Sequence, residues 1–360
     1  MCPGQQTPAL AMASLQECRR KTPALAELRT DSMESQCPPS RPRRLDSMIS
    51  SSECGSDFEQ DIQQLLARLG EVEFNDETEF ASAFADLQTL WKISRQGILG
   101  NMRAVLADLI TEDENVSVFR NSLECIVQLK GCFQNQEQLW RCLKHVLCVM
   151  WNCTDISAKL CRKISECGIL SLCIQILVDI TRSADFVQDD KKHFQVKAFL
   201  GVLHNSIRNC SECKDVLLKG GCLSLLPCLF TVPSPMVKAK SLMVMSYLVN
   251  EQENNILSSS DDTITFIVQV LADSSKCKNH MSTKFGMSTL EVMKGLNNIA
   301  MNDANKVKIV EAGGLKLYAM LVMSEDENER EMAALGIWTL AFAAENKPRI
   351  IKEPCLVDGS

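Results

Sequence analysis

The stretch LNNIAMNDANKVKIVEAGGL at residues 296–315 decides the fold, because its features recur at fixed distances elsewhere in the chain. An apolar segment ends in Asn298, a short helical pattern follows, and a second apolar segment starts after Gly313 and Gly314. Glycine lets a chain turn sharply because it has no Cβ. The stretch therefore predicts the end of one helix, a short helix, a glycine turn and a further helix.

The same arrangement occurs three times. Three segments end in Asn and are followed sixteen residues later by Gly: Asn152 with Gly168, Asn205 with Gly221, and Asn298 with Gly314. Two degenerate copies align at Tyr247 and Thr339, so the intervals between markers are 53, 42, 51 and 41 residues. An underlying period of about 42 residues is typical of helical solenoids, in which repeats bury their apolar faces by stacking. The two longer intervals contain polar insertions, 181–193 and 272–286, which we predict to be loops.

These residues resemble the armadillo-repeat family, whose third helices end in a Leu-x-Asn-Leu-Ala-like sequence followed by a Lys-x-x-Ile-Val-Glu-Ala-Gly-Gly-Leu-like one. LNNIA at 296–300 and KIVEAGGL at 308–315 match well. The resemblance covers residues 139–360 and implies an all-α fold, a right-handed α-solenoid of armadillo-like repeats. The last unit, 334–356, is similar to armadillo units that precede TIR domains in some invertebrate proteins. An alternative is therefore the regulatory part of a TIR-type signalling protein lacking its C-terminal domain.

Two regions of different composition precede the repeats. Residues 1–56 carry six of the eleven prolines and no sustained apolar period, so we predict a disordered Pro/Ser-rich tail. Residues 57–138 show further helical patterns over 58–69, 80–94, 98–110 and 116–129. Because residues 51–115 hold fourteen Asp or Glu and only four Lys or Arg, we interpret 57–138 as an acidic helical capping region or as diverged repeats.

The resemblance also implies where a partner binds. In the family, the Asn near the end of the third helix lines a concave groove and hydrogen-bonds the backbone of an extended segment, which implicates Asn152, Asn205 and Asn298. An amide suits this role because it both donates and accepts. The alternative is that each Asn only satisfies neighbouring backbone carbonyls at a helix end.

A lysine series accompanies these Asn residues. It consists of Lys144, Lys197, Lys238 and Lys240. If these side chains project into the same groove, they suit an acidic extended segment of a protein or peptide. Lysine is common on exposed helix faces, so the alternative is that these four side chains have no binding role. The sequence thus predicts a non-enzymatic scaffold or adaptor.

Other functions have little in their favour. The glycine pairs are not flanked by a phosphate-binding loop motif, and the four His have no recognisable nucleophile or carboxylate partners, so we predict no catalytic residues and no cofactor. Eighteen Cys without a secretory signal indicate reduced thiols that fill gaps between helices. A second alternative is an enzyme or metalloprotein that uses the Cys-rich centre, with His204, Cys210, Cys213 and Cys222 as candidate ligands. No second Cys-x-x-Cys or His pair completes a zinc module, so we predict no metal.

Charge and hydropathy limit the partners and the location further. Residues 116–360 are close to neutral, so they lack the basic footprint of a nucleic-acid-binding domain. The sequence contains no apolar run of about 18 residues, so it predicts no membrane span. We expect a cytoplasmic protein, with the nucleus as a second compartment.

Overall fold

The computed structural model describes residues 55–72, 77–95, 100–128, 136–183, 186, 189–249 and 261–357. The chain divides into two units, Met1–Asp61 and Ile62–Ser360, and almost all of the described residues belong to the second. The predicted disordered tail falls outside the described residues, apart from its last two positions, which begin the first helix.

The described chain is helical throughout, apart from one short hairpin and the connecting turns. The helices are α1 (Gly55–Gly70), α2 (Glu77–Arg95), α3 (Gly100–Ile110), α4 (Asp113–Gln128), α5 (Gln136–Ile156), α6 (Ala158–Glu166), α7 (Ile169–Arg182), α8 (Asp190–Asn209), α9 (Cys213–Lys219), α10 (Cys222–Leu225), α11 (Pro235–Leu248), α12 (Asp261–Lys276), α13 (Thr289–Ile299), α14 (Asp303–Glu311), α15 (Gly314–Leu321), α16 (Glu327–Leu340), α17 (Lys347–Ile351) and α18 (Pro354–Val357). Two 3₁₀ segments, Leu226–Thr231 and Ala344–Asn346, continue or precede short helices.

The repeats stack through their third helices. Helices α5, α8, α11, α13 and α16 form a series in which each packs against the next, and the other helices of the repeats lie between them in sequence. Helix α2 packs against α5 in the same way, with α3 and α4 intervening. We call the layer formed by α2, α5, α8, α11, α13 and α16 the third-helix layer. The predicted all-α solenoid of armadillo-like repeats is confirmed.

Glycines make the turns between first and second helices. Gly168, Gly221 and Gly313 have positive φ angles of 81°, 82° and 92°, a conformation that residues with a Cβ rarely adopt. The sequence alignment had assigned the third turn to Gly314, and this is corrected: Gly314 begins α15 and is buried. A Cβ on Gly314 would lie 2.6 Å from Cγ2 of Ile309, so close packing also requires glycine there.

The described residues of the two polar insertions contain more secondary structure than predicted. In the first insertion, α7 continues to Arg182 and α8 begins at Asp190. Asp189 caps the N-terminus of α8, because its carboxylate accepts the backbone N–H of Lys191 at 2.8 Å. In the second insertion α12 continues to Lys276, and the antiparallel strands β1 (Met281–Ser282) and β2 (Met287–Ser288) follow. Buried apolar side chains hold this hairpin against the repeats, which a polarity pattern alone does not reveal; they are Phe285 and Met287.

Several cysteines of the described chain lie inside the stack. Cys142, Cys153, Cys161 and Cys173 are buried among apolar side chains, as expected of small core residues. Burial raises the pKa of each of these four thiols to about 12. They therefore stay protonated and unreactive at neutral pH.

No single helix in the described ranges has the length and hydropathy needed to cross a membrane. Helices α6 and α7, which meet at a bend of 74°, reach the threshold only as a pair. The apolar residues of α7 are largely buried in the stack.

Candidate functional site

Two predicted lysines from neighbouring repeats meet over one aromatic ring. The ammonium nitrogen of Lys144 on α5 lies 5.2 Å from the centre of the Phe194 ring, and that of Lys197 on α8 lies 4.7 Å from it. The edge of Trp140 supports the same ring, with centroids 5.7 Å apart. Cations at these distances are attracted by the π-electrons of the ring. The stacking of α5 and α8 thus gathers two cations that are 53 positions apart in sequence.

The charges of these two lysines are not neutralised within the described chain. Neither Lys144 nor Lys197 forms an ion pair with a carboxylate among the residues that the structure describes. Partial burial lowers the pKa of Lys197, and the nearby positive charge of Lys144 lowers it further. An incoming anion would offset both effects, because it favours the charged form of each lysine.

A third cation extends this surface onto α2. The guanidinium of Arg95 lies 4.9 Å from the centre of the Trp91 ring. The positive charges of Lys144, Lys197 and Arg95 all lower the pKa of the half-buried Cys148 thiol on α5. Burial has the larger effect and raises that pKa to about 11. We call Arg95, Lys144 and Lys197 the basic track. It spans three successive third helices.

The other two predicted lysines lie elsewhere. Lys238 is half-buried on α11, with its ammonium 4.4 Å from the centre of the Phe266 ring of α12. Lys240 is buried: its ammonium donates to the carbonyl of Gly286 at 3.1 Å and lies 4.7 Å from the Trp151 ring centre. Burial lowers the pKa of Lys240 to about 8. In this structure Lys240 ties the hairpin to α11, and it could face a partner only by giving up these contacts.

The three predicted Asn residues differ in their surroundings. Asn152 is half-buried and donates to the hydroxyl of Ser94 on α2 at 2.9 Å. Asn205 is only 2% exposed and donates to the carbonyl of Trp151 on α5 at 2.9 Å. In both cases the amide joins a third helix to the preceding one.

Asn298 alone among the three is free of such a bond. It is half-exposed, and its side chain forms no hydrogen bond to another residue in the described ranges. The inter-helix amide in this repeat is instead the preceding residue. Asn297 donates to the carbonyl of Met332 at 3.2 Å and accepts the hydroxyl of Tyr318 at 2.6 Å.

A polar cluster that was not anticipated from the sequence, and that is buried except at Asp155, lies at the centre of the third-helix layer. We call Asp155, His204, Arg208 and Glu291 the central polar cluster. Arg208 of α8 bridges α5 and α13. Its guanidinium lies 2.5 Å from the Glu291 carboxylate on α13 and 2.8 Å from the Asp155 carboxylate on α5. Burial alone would lower the pKa of Arg208, but the two carboxylates outweigh it and raise that pKa.

His204 is the least satisfied member of the central polar cluster. Its ring is fully buried, and neither ring nitrogen has a hydrogen-bond partner. The nearest carboxylate oxygen, on Glu291, is 3.8 Å away, beyond hydrogen-bond distance. Burial lowers the pKa of His204 to about 3, so the imidazole is neutral at physiological pH.

The alternative metal site at His204, Cys210, Cys213 and Cys222 finds no support in the geometry of the described residues. Within the described ranges, no group of three or more His, Cys, Asp or Glu side chains is arranged to hold a metal ion. Cys213 donates to the carbonyl of Cys161 at 3.5 Å, which links α9 to α6.

Comparison with known proteins finds likeness at the level of structure only. No protein-family model matches the sequence, and no curated protein matches it either. A designed armadillo repeat protein, YIII(Dq)4CqI, is 19% identical with a TM-score of 0.46, covering 78% of this chain and 99% of its own. The designed armadillo repeat protein YIII(Dq.V1)4CPAF, solved in complex with the peptide (KR)4, is also 19% identical with a TM-score of 0.44, covering 78% of this chain and 99% of its own.

The sequence identities and TM-scores are too low to support an argument about function. The fold assignment rests on the helix packing described above. The TIR-type resemblance receives no support from the comparisons.

Proposed function

We propose that this protein is a non-enzymatic scaffold or adaptor that binds an acidic, extended segment of a partner protein across α2, α5 and α8. The observation that carries the proposal is the pair of unneutralised ammonium groups, Lys144 and Lys197, held over the single ring of Phe194. We expect it to act in the cytoplasm, with the nucleus as a second compartment.

The geometry of the basic track suits this partner chemistry. Two like charges that share one ring repel each other, and a carboxylate between them converts that repulsion into attraction. The aromatic rings beneath the cations restrict the flexible lysine side chains, so less conformational entropy is lost when an anion binds. Because Arg95 continues the series on α2, a partner with acidic residues at intervals along an extended chain would contact several cations at once.

Polar groups next to the basic track supply the remaining contacts. Asn152 lies on the same helix as Lys144, and its amide is half-buried rather than sealed in the core. We expect it to exchange its bond to Ser94 for one to the partner backbone. Asn205 and Lys240 support the layer from within, and the proposal does not depend on their reaching the partner. Lys238 and Asn298 lie on other repeats and would extend the contact only with a longer partner.

The proposal is tested by binding of a fluorescently labelled peptide of alternating Glu and Ser to the full chain, followed by anisotropy. The double variant Lys144→Gln, Lys197→Gln should bind about tenfold more weakly or worse, since two partly desolvated charge contacts are lost. The matched control is Lys219→Gln, Lys316→Gln, which removes the same charge from exposed positions on α9 and α15.

Salt and charge provide the second readout. Affinity of the wild-type chain should fall as ionic strength rises, and a peptide of alternating Lys and Ser should not compete. Equal affinity of the two double variants for the acidic peptide would contradict the proposal. The TIR-type regulatory role remains the alternative from the sequence, and no contact in the described helices favours it.

A further inference from the structure

The face of α8 that carries Lys197 continues towards α11. Lys197 and Gly201 are four residues apart, so they lie one turn apart on the same face of α8. The indole ring of Trp151 on α5 covers Gly201, where an added Cβ would be 2.6 Å from the indole Nε1 atom. The ammonium of Lys240 on α11 lies 4.7 Å from the centre of the same indole ring. Because Gly201 has no side chain, Trp151 reaches past α8 and connects the basic track to α11.

Lys240 is the next cation along this face, and the chain itself already binds it. Burial lowers the pKa of Lys240 most, and the positive charge of Lys197 also lowers it, so the two ammonium groups are electrostatic neighbours. The ammonium of Lys240 donates to the carbonyl of Gly286 at 3.1 Å. We call residues 281–288, which contain β1 and β2, the hairpin. Its backbone carbonyl lies where an acceptor of a partner segment would otherwise meet Lys240.

The hairpin lies directly on α11, and glycine is required at the point of contact. Gly286 has a φ angle of 61°, and its N–H donates to the carbonyl of Ser282 at 2.8 Å. A Cβ on Gly286 would lie 3.1 Å from the Sδ atom of Met236 on α11. Met236 and Lys240 are four residues apart, so the hairpin covers a full turn of one face of α11.

Contacts to two further helices hold the hairpin in place. The buried ring of Phe285 meets the Phe266 ring of α12 edge to face, with centroids 5.6 Å apart. Directly before the hairpin, Nδ1 of His280 lies 2.7 Å from the Glu329 carboxylate on α16. A segment with a buried aromatic anchor and a polar contact to another repeat is expected to stay in position when a partner binds nearby.

We propose that the hairpin is a fixed stop at the end of the basic track, which limits the partner to an acidic segment of about eight residues. This inference rests on the proposed function. Third helices in direct contact lie about 10 Å apart, and an extended chain rises about 3.3 Å per residue, so each step to the next helix takes about three residues. A segment across α2, α5 and α8 therefore needs about eight, and any extension towards α13 would have to pass the hairpin.

Two fluorescent peptides, (Glu-Ser)4 and (Glu-Ser)8, test the length limit by anisotropy with the full chain. For the wild type the longer peptide should bind no more than about fivefold tighter, because it gains only additional registers on the same site. A variant in which 281–287 is replaced by Gly-Ser-Gly keeps Ser288, the cap of α13. Its preference for the longer peptide should be about tenfold greater than that of the wild type, since Lys240 becomes a further charge contact.

Substitutions in the shortened variant identify the source of that gain. Adding Lys240→Gln should return the length preference to the wild-type value. The matched control is Lys219→Gln, at an exposed position on α9, which should leave the gain intact. A length preference that does not change when the hairpin is shortened would overturn the proposal, and so would a gain that survives Lys240→Gln. Circular dichroism checks that the shortened variant is folded.

Hydrogen exchange provides a second test in the unaltered chain, which does not depend on the shortened variant. With saturating (Glu-Ser)8, the amides of the hairpin should exchange at unchanged rates. Faster exchange there would show that the peptide displaces the hairpin, which contradicts a fixed stop. The two proposals fail in different ways. If Lys144→Gln, Lys197→Gln does not weaken peptide binding, the basic track itself is wrong; if it does and the length preference ignores the hairpin, only the stop is wrong.

Discussion

Trp151 of the third helix α5 packs directly against Gly201 of α8, since the indole ring fills the space that a Cβ on Gly201 would occupy. Gly201→Ala should therefore destabilise the fold by about 1–3 kcal/mol, the usual cost of overpacking a rigid contact. Urea unfolding followed by circular dichroism measures this as a lower midpoint with an unchanged slope.

Gly295→Ala is the matched comparison. Its added Cβ would overlap the terminal methyl group of Met243, which sits at the end of a flexible side chain and can rotate away. The cost should be smaller than for Gly201→Ala. An equal or larger cost would mean that the indole in α5 yields as readily as the methionine does.

The unpartnered His204 makes a second prediction. His204→Phe replaces two buried nitrogens without hydrogen bonds by apolar atoms of similar shape, so the variant should be as stable as the wild type or more stable at pH 7. Differential scanning calorimetry checks this through the unfolding temperature. A large loss of stability would show that an imidazole nitrogen makes an essential contact.

The pH dependence of the same variant has a definite sign. The pKa of His204 is about 3 in the folded chain and near its ordinary value of 6.5 when unfolded. Between these values the unfolded chain binds one more proton, so stability falls as pH decreases through this window. Replacement by Phe should remove that part of the acid sensitivity. Unfolding curves of both proteins at pH 7 and pH 4 test this. An equal loss of unfolding free energy between the two pH values in both proteins would contradict the buried neutral state of His204.

The Arg208–Glu291 pair makes a third prediction. Both side chains are largely buried, so Glu291→Gln leaves the Arg208 charge only partly compensated and should cost about 3–5 kcal/mol. Glu124→Gln, which breaks the exposed Arg120–Glu124 pair within α4, should cost less than about 0.5 kcal/mol. Chemical denaturation of the two variants side by side measures the difference. Similar costs would mean that the buried pair contributes no more than a surface pair.

The repeat architecture could be predicted from the sequence because it depends on local signals. Gly168 and Gly221 stand where only a turn residue fits, and the apolar spacing around them fixes the helices. The third turn was misplaced by one residue because Gly313 and Gly314 are adjacent, and only the φ angle shows which one turns.

The side-chain geometry of the surface could be predicted only in part. Lys144 and Lys197 share a helical position, so their proximity follows from the period, but the ring of Phe194 between them does not. Lys238 and Lys240 are two residues apart and therefore face different ways on α11, which a count of basic residues overlooks. The Arg208–Glu291 pair joins residues 83 apart in the sequence and skips a whole third helix.

The central claim is that an acidic partner segment binds at the basic track. Reductive methylation of lysines, quantified by mass spectrometry with and without the Glu/Ser peptide, tests it most directly in the unaltered protein. Methylation of Lys144 and Lys197 should slow when the peptide binds, while Lys219 and Lys316, exposed on α9 and α15, should react at unchanged rates. Unchanged reactivity of Lys144 and Lys197 at saturating peptide, or equal protection of all four lysines, would contradict the account.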